Sequence, residues 1–136
     1  MFFVSLVEQD TQRQLLDYFF QQCTDFSVMY PGGTEENPLD NPLLEQRGNF
    51  LKLKNICISI WSGMENGIKL SGSLTNEARH LFYLSLCNKG LWCYRLFIKN
   101  DEVFAVNDFD VGILKISEEE VDILIQKKVI KKSFLM

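Results

Sequence analysis

All three prolines of the chain, Pro31, Pro38 and Pro42, lie between Met29 and Asn49, together with three of its eight glycines. No apolar period runs through that stretch. Proline removes a backbone donor and fixes φ, so such a segment resists both helix and strand. Connections longer than ~12–15 residues are uncommon in compact domains and are usually functional loops or disordered segments. The sequence therefore predicts one domain over 1–136 with a long acidic Pro/Gly loop at about 31–49, flanked by regular elements on both sides.

Those flanks carry clear periods. Residues 2–7, "FFVSLV", read as a strand. Thr11 opens a helix with Gln14 in capping-box position, and Leu15, Leu16, Phe19, Phe20 and Cys23 form one apolar face. "FSVMY" is a short strand. After the loop, "FLKLKNICISIW" reads at a period of two, with the parity changing near Asn55, where a bulge or break is expected. Asn66-Gly67 is a hairpin turn, because both residues accept positive φ. It leads back through "IKLSGSL".

Residues 75–90, "TNEARHLFYLSLCNKG", allow two readings: a helix capped by Thr75 and stopped by Gly90, or a strand from about Arg79. The run from Leu81 to Leu86 has no helical stripe, and the turns downstream suit a meander, so the strand is favoured. On that reading "CNKGLW" is a three-residue hairpin loop and "KNDE" a two-residue loop at Asn100-Asp101. The resulting register puts Tyr83, Leu91, Arg95, Phe97, Lys99, Glu102 and Phe104 on one mixed face, with Lys99 opposite Glu102. "VGILKI" is a further strand. "SEEE" from Ser117 caps a last helix whose buried stripe is Val121, Leu124, Ile125 and Val129. The fold class is α+β: an antiparallel β-meander sheet with helices packed on one face.

Chemistry is harder to find. The single histidine, His80, and the cysteines Cys23, Cys57, Cys87 and Cys93 match no zinc spacing. A Cys–His nucleophile built from His80 with Cys87 or Cys93 requires the fold to bring them together. "CNKGLWCYR" lacks the spacing of a phosphate-binding cysteine loop, and Asp108 and Asp110 in "DFDVG", with no further ligand cluster, read more simply as strand-end or turn residues than as a cation site. No phosphate-loop, dinucleotide or hydrolase motif is present. We expect no cofactor, no metal and no catalytic residue.

Charge and composition narrow the partners. Net charge is −4, with eight acids against Arg13 and Arg47 in residues 1–49, which argues against nucleic-acid binding. No apolar run approaches the ~18 residues of a membrane span, and "MFFVSLV" lacks the basic flank of a secretion signal. A soluble cytoplasmic protein with reduced, mostly buried cysteines is expected. The remaining candidate is a surface. Glu35, Glu36, Asp40 and Glu45 would attract a basic protein, and Tyr83, Leu91, Arg95, Phe97 and Phe104 would anchor it. In size, acidity and fold class, though through no motif, the chain is similar to the immunity proteins of contact-dependent toxin systems. That likeness implies a cytoplasmic inhibitor that neutralises a toxin, for instance a nuclease. The competing readings are a small enzyme or ligand-binding domain using Cys87, Cys93 and His80, and a homodimer joined through the mixed sheet face.

Overall fold

The computed structural model describes residues 1–8, 10–32, 41–91, 93–107 and 109–136. In chain order the elements are β1 (Phe2–Ser5), α1 (Thr11–Phe20), β2 (Asp25–Tyr30), α2 (Asn41–Leu51), β3 (Cys57–Ile60), β4 (Ile68–Ser73), α3 (Asn76–Cys87), β5 (Cys93–Ile98), β6 (Asp101–Asn107), β7 (Val111–Leu114) and α4 (Glu118–Gln126), with a final 3-10 turn at Lys132–Phe134. The strands form one sheet in the order β1-β7-β6-β5-β2-β4-β3. Every neighbouring pair is antiparallel. The α+β class with an antiparallel sheet is thus as expected. Among the described residues no helix is long and apolar enough to cross a membrane.

The helices share one face of the sheet. On that side Phe26, Val28 and Tyr30 of β2, Tyr94 and Leu96 of β5, Phe104 and Val106 of β6, and Leu114 of β7 are all buried. Alternate strand residues point to one face, so each strand contributes every second side chain to this layer. Ring contacts show where the helices sit. Phe19 of α1 stacks on Phe104 at 5.1 Å. Phe82 of α3 meets Phe26 at 5.5 Å and Tyr94 at 5.3 Å, both edge to face. Phe50 of α2 lies 5.8 Å from Phe26 and 6.4 Å from Tyr30. On the far side of α1, Lys127 at the end of α4 has its Nζ 5.8 Å from the centre of the Tyr18 ring. The helices therefore run α2–α3–α1–α4 across the sheet. Edge-to-face pairs of this kind are worth about 0.5–1.5 kcal/mol beyond the apolar area they bury; Phe82 makes two of them with the sheet and also meets Phe20 and Phe50 of the neighbouring helices.

Several sequence expectations are corrected. The stretch at 31–49 is not all loop, because α2 begins at Asn41. Pro42 sits in the first turn, where a missing N–H costs nothing, and Leu43, Gln46 and Phe50 at i, i+3 and i+7 give it a buried stripe. Residues 50 and 51 close this helix, so the strand expected at 50–61 shrinks to Cys57–Ile60. The break expected near Asn55 is real, with φ of 59° there. Residues 76–87 are helical and not a strand: Thr75 Oγ1 accepts from the Ala78 N–H at 3.1 Å. Sheet contact overrides the weak stripe of this segment: Ala78, Phe82 and Ser85 are fully buried, and Leu81 and Leu86 pack against the core from its margin. Thr11 is not the cap of α1; Asp10 holds that position, and Thr11 is buried.

The register of the last hairpin also differs. The loop is Lys99-Asn100, since Ile98 pairs with Asp101, and a bulge after Leu96 leaves Val103 as the extra residue. A one-residue slip turns every later side chain over. Phe104 therefore pairs with Leu96 and enters the core, and Glu102 lies opposite Phe97 and not Lys99.

Candidate binding surface

The second face of the sheet carries no helix among the described residues. One row across it reads Phe3, Ile113, Ala105, Arg95, Ser27, Ser71 and Cys57, each residue cross-strand from the next. The row toward the β6–β7 turn reads Ser5, Val111, Asn107, Cys93, Met29, Lys69 and Ser59. The β1–β7–β6 end is thus mostly apolar, with Ser5 and Asn107 at one side of it, and the β4–β3 end polar. Phe3 is 43% exposed, and Ile113 beside it is half-buried.

A charged network runs from β5 across β6 to the residue after β7, on the β5–β6 turn side of these rows. Arg95 Nε lies 3.2 Å from Glu102 Oε1, and Lys115 Nζ pairs with the other Glu102 oxygen. Arg95 also reaches Asn107 Oδ1 at 3.5 Å, as does the Cys93 thiol at 3.4 Å. The bulge makes this possible by carrying Glu102 onto the same face as Arg95. A carboxylate held by two cations is more rigid than an isolated surface pair, whose net value is only about 0–1 kcal/mol. Burial pushes the Cys93 thiol above its ordinary value against the opposing pull of Arg95. It is a packed side chain and not an activated nucleophile.

The residues proposed from the sequence are distributed over four places. Arg95 and Phe97 lie on the helix-free face. Tyr83 is on α3, in the helical layer on the other side of the sheet, where its hydroxyl donates to the Asp17 carboxylate. Burial, with that bond second, raises its pKa to about 12. Leu91 is buried at the end of the sheet and Phe104 is wholly enclosed, so neither can touch a partner as placed. Glu45 is exposed on α2, while Glu35, Glu36 and Asp40 lie outside the described residues. Sequence reasoning missed Phe3, Ile113 and Lys115. The alternation of "FFVS" and "VGIL" would have found the first two once Val4 and Leu114 were known to face inward.

The Cys–His constellation does not assemble. His80 is exposed on α3, in the helical layer, and Cys93 belongs to the opposite face of the sheet. Cys87 stands seven residues after His80 on the same helix, two turns or roughly 10 Å along its axis.

Where Leu91 is buried, a cavity of about 720 Å³ opens among Leu6, Gln12, Leu43, Leu86 and Phe109. Gln12 Nε2 donates to the Tyr94 hydroxyl at 2.7 Å. That bond satisfies both buried groups, and burial holds the Tyr94 phenol protonated far above its ordinary range. Comparison of the chain with protein-family models, with curated proteins and with solved structures gives no match.

Proposed function

We propose that this chain is a non-enzymatic protein-binding module, a small cytoplasmic inhibitor of the immunity type that neutralises a basic partner such as a nuclease-type toxin. The observation that carries the reading is the helix-free sheet face, where an apolar end around Phe3 adjoins the Arg95–Glu102–Lys115 network. Aromatic and arginine side chains are the types that dominate binding energy at interfaces. Glu45 and the neighbouring acids Glu35, Glu36 and Asp40 would add long-range attraction for a basic surface and so raise the association rate.

Affinity capture from the lysate of the source organism at low salt tests this, with the wild-type chain beside Phe3→Ser and a variant carrying Gln or Asn at the four acids. The expected result is one basic protein whose own activity is blocked by an equimolar amount of the wild-type chain. Phe3→Ser should release it faster, and the neutralised variant should bind it more slowly with a flatter salt dependence. Equal capture by all three forms, or a captured protein whose activity the chain leaves untouched, would overturn the reading.

A further inference from the structure

The two edges of the sheet are treated differently. Beside β1 the chain returns to close the edge: Leu135 bridges Val4, and the Met136 N–H donates to the Phe3 carbonyl at 3.0 Å. Nothing comparable lies beside β3 among the described residues. The Trp61 N–H donates to the Gly67 carbonyl at 2.9 Å, so the backbone groups of odd-numbered residues point toward β4. Those of Ile58 and Ile60 therefore point outward from the sheet. Exposed edges are commonly guarded by charge, proline or a bulge. From Asn55 to Gly63 the sequence, "NICISIWSG", has no charge and no proline.

The side chains at this edge are as unusual as its backbone. Ile58 is 61% and Ile60 85% exposed. Their cross-strand partners are Leu70 and Ile68, which places them on the helix side of the sheet. The helical layer ends before reaching them. Gln46 of α2 accepts from Ser85 of α3 at 3.2 Å, so one flank of α2 meets α3 and the opposite flank looks out over β4 and β3. Leu44, Gly48 and Leu51 form that flank at i, i+4 and i+7. Both leucines are exposed, and a Cβ built on Gly48 meets nothing within 4 Å.

We propose that β3 pairs antiparallel with β3 of a second copy about a two-fold axis at Ser59, joining two seven-stranded sheets into one. Ile58 and Ile60 of one copy then face Ile60 and Ile58 of the other through their outward backbone groups, and the apolar flanks of the two α2 helices meet above them. Charge selects this occupant and this direction. Exposed Lys52 and Lys54 precede β3 and exposed Glu65 follows it. Antiparallel self-pairing brings the lysines of each copy beside Glu65 of the other, whereas parallel pairing would set lysine against lysine. A two-fold contact repeats every such pair and closes, so it yields a dimer and not a fibre. This interface is separate from the helix-free face, and the two readings stand or fall independently.

Sedimentation of the full chain over a wide concentration range reads the association directly. A monomer–dimer equilibrium is expected, and Ile60→Lys should weaken it by about a hundredfold or more, because it places a charge in an apolar contact. Ile60 is solvent-exposed in the single chain, so far-UV circular dichroism should be unchanged. The register is read by oxidation of a Cys57→Ser, Ser59→Cys double variant. Residues paired on the axis without hydrogen bonds have Cα atoms roughly 4.5 Å apart, within disulfide reach, so this variant should form a covalent dimer. A monomer at every concentration would leave the edge to a foreign strand and overturn self-pairing. A dimer that Ile60→Lys does not weaken, or that oxidation of Ser59→Cys does not trap, would overturn it as well.

Discussion

Gln46 is fully buried between α2 and α3, where its Oε1 accepts from both Ser85 Oγ at 3.2 Å and Asn49 Nδ2 at 3.1 Å. Gly90 presses on it from the end of α3, and a Cβ there would collide with the Gln46 side chain and approach the Pro42 carbonyl to 2.7 Å. This glycine is required for space. Cys23 shows a different consequence of burial. Desolvation raises its thiol from 9.0 to about 12, outweighing the lowering by Arg79. The unfolded chain ionises first, so it binds fewer protons than the folded one between those values. Stability is therefore undiminished below pH 9.0 and falls as pH rises toward 12. Denaturant titrations across that interval should show the decline, and Cys23→Ala should make it shallower. In native protein iodoacetamide should label exposed Cys57 and Cys87 and reach Cys23 only on unfolding.

Among the elements, α4 was the most legible. Its Ser117 cap, which accepts from the Glu120 N–H at 3.2 Å, and its three acids at the positive end of the helix dipole are local signals that need no tertiary context. The helix α3 has an equally good local cap in Thr75, but its remaining surface mixes Leu81, Leu84 and Leu86 around the axis, and only sheet contact decides which side is core. In α2 the prolines and glycines masked the Leu43–Gln46–Phe50 stripe, because a buried glutamine breaks an apolar pattern when its partner Ser85 is far away in sequence. The binding face was legible only in part for a related reason. One bulge residue, Val103, separates a register in which Phe104 faces out from one in which it faces in. Gly48 offers a test at this scale. It is a helix-interior glycine with open space around it, so Gly48→Ala should stabilise the monomer by about 0.5–1 kcal/mol in chemical denaturation.

At the scale of the molecule, a single helical layer covers the sheet from β1 to β4 and stops short of β3. Packing accounts for the asymmetry. Four helices suffice to bury the side chains of six strands, and β3 is held mainly by its hydrogen bonds to β4. Burial is therefore dense at the centre, where Phe82 packs against the rings of Phe20, Phe26, Phe50 and Tyr94, and sparse at the rim. Local opening should begin at such a rim, where few apolar contacts oppose it.

The closure of the opposite edge has a kinetic meaning. β1 precedes the other six strands along the chain, yet its sheet partner is β7, the last of them, and Leu135 joins it from the other side. Contacts so distant along the chain carry a large loop-closure cost and form late unless something else holds the ends together. The meander from β5 to β7 and the β3–β4 hairpin can assemble first, with β1 docking as the last strand. Val4, fully buried within β1, should then report on that final step. Val4→Ala is expected to speed unfolding in stopped-flow measurements while leaving the refolding rate nearly unchanged, so a strand that precedes all six of its companions would set how long the folded sheet lasts and have little say in how quickly it forms.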